Sequence, residues 1–341
     1  MQQKIDLDSV LKLEEEKLEN GLARELIIFK SSFDEEVPCY LFHHRDQEQR
    51  PAIVVASGRG EGIIETAGIK SGYQNSNALK LAQAGFVVIT CENRGQGKLQ
   101  YYCKTSEYKD LKNKKITSVK ELVRKEDVYN NKLFSKIETK EIPVFFGIKS
   151  YLGLLLEDQR KALDYLESLP YVDADKIGAA GISLGGETAF YLGAIDQRIK
   201  SVVVMGWLTS WSELLDDVQD WRIPQIESHF SSMADIGVLL IPRYSLFHNG
   251  IAEGRMVIGV GFPSDLASLI FEDISSYYHR VLVPTRTEFY SLDVEHEFVN
   301  HLAIDFLQRS LKRDQGKEAI KSLGRIASHK NPPKRQVVAS G

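Results

Sequence analysis

The sequence predicts an α/β fold in which a mostly parallel central sheet carries helices on both faces. Three observations carry that expectation: short apolar runs recur along the chain, the stretches between them suit helices, and one run passes into a helix through Gly181-Ile182-Ser183-Leu184-Gly185-Gly186. The runs are residues 53–56, 86–89, 177–180, 202–205, 257–260 and 288–292. Continuous rather than alternating hydrophobicity is what a strand needs when both of its faces are buried, as in a parallel sheet covered by helices.

Taken in chain order, residues 7–20 read as a charged helix. Residues 23–30 and 37–43 alternate enough to form two antiparallel strands joined around Ser32-Phe33-Asp34-Glu35. The clearest helix is 152–169, where Leu152, Leu155, Gln159, Leu163, Leu166 and Leu169 recur at spacings of three or four and Pro170 ends the run. Two segments break the repeat. Residues 104–140 are lysine-rich with little periodic hydrophobicity, and 207–255 hold Trp207, Trp211, Trp221, Phe230 and two prolines. Both read as cap or lid insertions, bounded at 104–150 and 207–255, at the sheet end where active sites form. The plainer alternatives are a solvated face for the first and core-filling aromatics for the second. A single domain is expected over 1–325, followed by a flexible basic tail over 326–341 that has no apolar face.

With 341 residues, 43% of them hydrophobic, the chain has ample material for a core. Its net charge of −4 comes from interspersed acids and bases, which excludes the broad basic face that nucleic-acid binding needs. The polar N-terminus lacks an apolar leader, and no apolar stretch approaches the roughly 18 residues of a membrane span, so no membrane partner and a cytoplasmic location are expected. Cys39, Cys91 and Cys103 are odd in number and lack CxxC spacing; they are expected as buried thiols rather than as a disulfide framework or a metal site. A homo-oligomer is compatible with the sequence.

The chemistry centres on Ser183. A bare Gly-x-Ser-x-Gly arises by chance in about one chain in ten of this length, so its context decides. Here an apolar strand precedes it, an extra glycine allows close packing, and a helix-compatible run follows, as expected of a serine lifted clear of the sheet for nucleophilic attack. A serine hydroxyl needs an imidazole to take its proton and a carboxylate to hold that imidazole. His296, just beyond the last strand and before a helix, is the expected base; His301 and His279 read as helical residues with structural or surface roles. Asp265 is the expected acid, because it closes the turn Gly261-Phe262-Pro263-Ser264-Asp265 after residues 257–260, although the same position suits a helix cap. Its rivals are Glu272, Asp273, Asp216 and Asp217. The backbone N–H of Leu184 and that of Arg59, in Ser57-Gly58-Arg59-Gly60, are the expected oxyanion donors.

Four segments together resemble the α/β-hydrolase superfamily, and within it the dienelactone hydrolase-like and acetyl xylan esterase-like serine esterases. They are Ser57-Gly58-Arg59-Gly60, the stretch 84–97 with its turn Glu92-Asn93-Arg94-Gly95-Gln96-Gly97, residues 158–186 through the serine, and 294–298 around the histidine. The resemblance spans about residues 23–312 and implies the α/β-hydrolase fold, with Ser183 as nucleophile, His296 as base, Asp265 as acid, and Arg59 and Leu184 as oxyanion donors. Ser57 stands where such families usually carry histidine, Glu92 where they carry aspartate, and Gly254-Arg255-Met256 where Pro-Arg-Pro is frequent.

The activity expected from this is hydrolysis of a small-molecule carboxylic ester through an acyl-enzyme, with no metal or organic cofactor. The alternatives are a peptidase or amidase of the prolyl oligopeptidase type, a C–C bond hydrolase on the same scaffold, or a non-catalytic protein that keeps the fold for binding.

Overall fold

A computed structural model describes residues 5–31, 36–46, 48–94, 144–145, 148–149, 151–211, 229–253 and 262–312. Leu11–Lys17 (β1), Leu22–Lys30 (β2) and Glu36–His44 (β3) pair antiparallel in succession, and they are followed by Arg50–Ala56 (β4) and Val87–Cys91 (β5). Val144–Phe145 (β6) and Ile148–Lys149 (β7) pair only with each other. Val172–Ile182 (β8), Ile199–Met205 (β9), Tyr244–His248 (β10) and Thr287–Tyr290 (β11) complete a nine-stranded sheet in the order β1-β2-β3-β5-β4-β8-β9-β10-β11. From β5 to β11 every neighbouring pair is parallel.

The helices follow from how the strands divide their side chains. Along β4, Ala52 and Val54 enter one apolar layer while Ile53 and Val55 enter the other, which is why the strand reads as a continuous apolar run. Tyr151–Ser168, Leu184–Ile195 and Ser264–Arg280 cover the first face. Ile63–Thr66, Asn77–Gln83 and Asn300–Lys312 cover the second, with Met233–Gly237 packed at the edge of the first. In chain order these are α1 (Ile63–Thr66), α2 (Asn77–Gln83), α3 (Tyr151–Ser168), α4 (Leu184–Ile195), α5 (Met233–Gly237), α6 (Ser264–Arg280) and α7 (Asn300–Lys312). The chain turns one way from β4 to β5 and the other way from β5 to β8. The loops leaving β4 and β8 therefore open side by side at the carboxyl ends of adjacent strands, where open α/β sheets place their ligands.

Three expectations change. Residues 7–20 hold strand β1 between two short 3-10 turns, not a helix: backbone pairing with β2 outweighs helix propensity, and the charges of Lys12, Glu14, Glu15, Glu16 and Lys17 suit an exposed sheet edge. The span 207–255, expected as an insertion, contains the sheet strand β10. Cys39 and Cys91 are buried as expected, but they face each other across β3 and β5 and form a disulfide, a pairing that residues 52 apart in sequence do not advertise. The lysine-rich residues 104–140, residues 257–260 and the tail 326–341 lie outside the described residues.

Candidate active site

Strand β8 ends at Ile182 and α4 begins at Leu184, leaving Ser183 alone at the apex with φ 58° and ψ −127°. That conformation costs a non-glycine residue on the order of 1–3 kcal/mol, and the surroundings enforce it. Ser183 N–H donates to Met205 C=O of the neighbouring strand at 3.0 Å. The glycines around it permit the tight packing: a Cβ at Gly181 would lie 2.1 Å from the Gly185 carbonyl oxygen, and one at Gly185 would lie 2.2 Å from that of Ala56. Leu184 N–H opens α4, so it stands at the positive end of a helix, next to the serine.

His296 follows β11, on the loop before α7. Its Nδ1 is hydrogen-bonded to Glu253 Oε1, and the other carboxylate oxygen of Glu253 accepts from Gly250 N–H at 3.2 Å. Glu253 is buried, on the loop leaving β10. Ile251 N–H to Leu292 C=O (2.8 Å) and Ala252 N–H to Val294 C=O (3.2 Å) tie that loop to the one carrying His296. Gly206 sits against the pair at φ +53°, where a Cβ would come within 2.7 Å of His296 Cε1 and 2.8 Å of Glu253 Oε1. The imidazole lies between two aromatic rings, Tyr73 at 5.2 Å between centroids and Phe262 at 5.8 Å, both roughly parallel to it. Its Nε2 is buried and makes no hydrogen bond among the described residues.

The loop after β4 is wired residue by residue. Ser57 C=O accepts from Asn93 Nδ2 at 2.5 Å, Gly58 N–H donates to Gln74 Oε1 at 2.6 Å, and Arg59 C=O accepts from the Tyr73 hydroxyl at 2.8 Å. Glu65, itself buried, holds Gln74 through its backbone N–H at 2.6 Å and its Nε2 at 3.2 Å. The Tyr73 hydroxyl also approaches the Ser183 side chain; burial, and secondarily the Glu65 charge, push its phenol well above the usual tyrosine range.

Of the residues expected from sequence, Ser183, Arg59 and His296 lie on turns and loops at this end of the sheet, Leu184 opens the helix that follows Ser183, and Tyr73 touches Ser183, Arg59 and His296. Asp265 does not join them at His296. It is exposed in the first turn of α6, its carboxylate accepting from Leu266 N–H at 2.9 Å, and Glu253 occupies the place at the imidazole. The reason is topological, since the strand preceding β11 in the sheet is Tyr244–His248, and the loop it feeds reaches its acid at Glu253. Glu272 and Asp273 are exposed on α6, His279 and His301 are helical, and Asp216 and Asp217 lie outside the described residues. Among the described residues no group of three or more His, Cys, Asp or Glu side chains is placed to hold a metal ion, and no helix is long and apolar enough to cross a membrane.

Two buried polar groups nearby are structural. Arg94 grips Asp158 of α3 with two hydrogen bonds, 2.7 Å from Nε and 2.8 Å from a terminal nitrogen, and so anchors the turn after β5. His248, at the end of β10, is buried with neither ring nitrogen hydrogen-bonded among the described residues, and burial pulls its pKa down to about 4, against a smaller opposing effect of Glu297 and a supporting one of His301. The unfolded chain binds this proton near pH 6.5 and the folded chain only near 4, so stability is full above about pH 6.5 and falls as the pH drops towards 4. His248→Leu is expected to remove that share of acid sensitivity, on the order of 3 kcal/mol by pH 4. Unfolding curves taken from pH 7 to 4 check it; parallel losses in both proteins contradict it.

Sheet order, strand-to-helix serine and the loops around it define the α/β-hydrolase fold. A family model, the C-terminal domain of BAAT and acyl-CoA thioester hydrolases, matches residues 156–235, which include Ser183. The Bacillus subtilis (strain 168) protein YtaP, whose hydrolase designation is itself provisional, is 28% identical over 173 residues, covering 47% of this chain and 54% of YtaP. The match thus spans about half the length of that relative. Among solved structures, a Bacteroides fragilis NCTC 9343 protein provisionally described as an acetyl xylan esterase superimposes with a TM-score of 0.61 at 17% identity, covering 88% of this chain and 82% of its own. The glucuronoyl esterase from Solibacter usitatus gives 0.59 at 14% identity, covering 88% and 85%.

Proposed function

We propose that this protein is a serine hydrolase that cleaves a small-molecule carboxylic ester through an acyl-enzyme. The observation that carries the reading is the strained apex of Ser183 together with the hydrogen-bonded His296–Glu253 pair, whose carboxylate is buried. Ser183 Oγ attacks the ester carbonyl while His296 Nε2 takes its proton, and the tetrahedral oxyanion is received by the N–H groups of Leu184 and Arg59. His296 then returns the proton to the departing alcohol. A water molecule, deprotonated by the same nitrogen, attacks the acyl-serine, and collapse of that second adduct frees the acid and restores Ser183. Glu253 keeps Nδ1 protonated and Nε2 available, and stabilises the imidazolium formed at each attack; in this reading it takes the role expected of Asp265. The esterases with this fold support the bond type, and the match over residues 156–235 supports a second reading, hydrolysis of an acyl thioester by the same steps.

Stoichiometric labelling by a fluorophosphonate, abolished in Ser183→Ala, tests the nucleophile. A panel of acetyl and longer acyl esters, acyl thioesters, anilides and β-diketones then tests the bond. Ester turnover above all others supports the first reading, thioester turnover the second, and labelling without turnover on any member removes both.

A further inference from the structure

Segment 72–76 lies outside the three catalytic loops, yet it contacts all of them. We infer that Tyr73, seconded by Gln74, is a positioning residue of the reaction: it orients the Arg59 peptide and supports the His296 ring beside the Ser183 side chain. The inference rests on the serine-hydrolase reading above.

The first argument is the geometry of consecutive peptides. The proposed oxyanion donor, Arg59 N–H, belongs to the peptide between Gly58 and Arg59. The peptide before it is pinned at both ends, its C=O by Asn93 and its N–H by Gln74. The peptide after it is pinned at its C=O by the Tyr73 hydroxyl. With both neighbours held, the peptide between them keeps only the concerted rotation of the ψ of Gly58 against the φ of Arg59, so its orientation is restricted. An oxyanion donor is effective to the extent that it is aimed before the charge develops, so this clamp acts on the transition state rather than on substrate binding. Space for it is reserved in the sequence: a Cβ at Gly58 would lie 2.0 Å from the Tyr73 oxygen.

A second argument comes from the other contacts of the same side chain. The Tyr73 hydroxyl meets the Ser183 side chain and its ring lies against the imidazole of His296, so one rigid group spans nucleophile, base and oxyanion loop. The segment is itself held to the histidine loop: Phe298 N–H donates to Tyr73 C=O at 2.8 Å, Asn75 Nδ2 donates to Glu297 Oε2 and Phe298 C=O, each at 3.1 Å, and Asn300 Nδ2 donates to Asn75 C=O at 2.7 Å. Asn75 and Ser76 both sit at φ 52°, left-handed conformations that cost non-glycine residues energy and persist where surrounding structure dictates them. That two residues in a row accept this strain fits a segment shaped by what it must hold.

The test measures the second-order rate of fluorophosphonate labelling for wild type, Tyr73→Phe and Gln74→Met, beside melting temperatures and the affinity of a boronic acid, a mimic of the tetrahedral adduct. Tyr73→Phe keeps the ring against His296 and removes only the hydroxyl. It is expected to label about 10- to 100-fold more slowly, with boronate affinity falling in parallel, and Gln74→Met is expected to do the same in the same direction. A purely structural role lowers the melting temperature but leaves the labelling rate and boronate affinity of the folded fraction unchanged. That outcome overturns the inference, as does a Tyr73→Phe rate within twofold of wild type. If wild type itself is not labelled at Ser183, the serine-hydrolase reading falls first and takes the inference with it, so the two failures are told apart by the wild-type arm.

Discussion

Ser183→Ala is expected to retain the fold and to lose roughly 10³–10⁶-fold in turnover, about 4–8 kcal/mol of transition-state stabilisation. The hydroxyl stands at the tip of a strained turn, where removing it creates no cavity in either apolar layer. The backbone strain stays, but it is enforced by packing of glycines 181 and 185 against carbonyls rather than by the serine side chain, so the melting temperature is expected within a few degrees of wild type. His296→Ala is expected to be about as damaging, and the double variant little worse than either, because the proton acceptor has no task without the group that gives up the proton. Turnover of one ester by the four proteins, with folding checked by circular dichroism, decides it. Clearly additive losses point to a base other than His296, and residual turnover within tenfold of wild type in Ser183→Ala removes the mechanism.

The fold was legible in the sequence wherever burial dictates residue type. Strands β4, β5, β8 and β9 are buried on both faces, so their apolar runs announce them, and the glycines of the serine turn are required by carbonyls about 2 Å from where a Cβ would sit. Legibility failed where pairing or shape, not burial, decides. Strand β1 is exposed along almost its whole length and carries a run of charged residues that suits a helix surface equally well. Strand β10, Tyr244–His248, mixes a serine and a histidine into its five residues; Ser245 is satisfied by Thr287 at 2.8 Å, a partner only the fold supplies. Missing that strand displaced the acid. The signal available was Asn249-Gly250, a turn pair directly after an aromatic-apolar run, with Glu253 three residues on. The role inferred for Tyr73 had no sequence signal, since it depends on three loops converging on one side chain.

Glu253→Gln is expected to lower turnover by about 10²–10⁴-fold with little change in KM, while Asp265→Asn stays within about twofold of wild type. Glutamine fills the same volume, so packing against Gly206 survives, but its single oxygen can accept from His296 Nδ1–H or from Gly250 N–H and not from both. What it lacks is the negative charge that stabilises the imidazolium formed as the serine proton is taken in the transition state; the loss therefore falls on kcat. The neutral amide also permits the flipped orientation in which its NH₂ faces the imidazole, favouring the tautomer with its proton on Nε2, where the serine proton has to go. Asp265 supports neither effect. Its carboxylate faces solvent at the first turn of α6 and accepts from Leu266 N–H, a task asparagine performs about equally well. Measuring kcat, KM and melting temperature for both variants separates the assignments. Wild-type turnover in Glu253→Gln together with a collapse in Asp265→Asn would return the acid to Asp265 and require the loop after β10 to rearrange when substrate binds; loss in Glu253→Gln alone, at an unchanged melting temperature, assigns the carboxylate by its charge and not by its contribution to the fold.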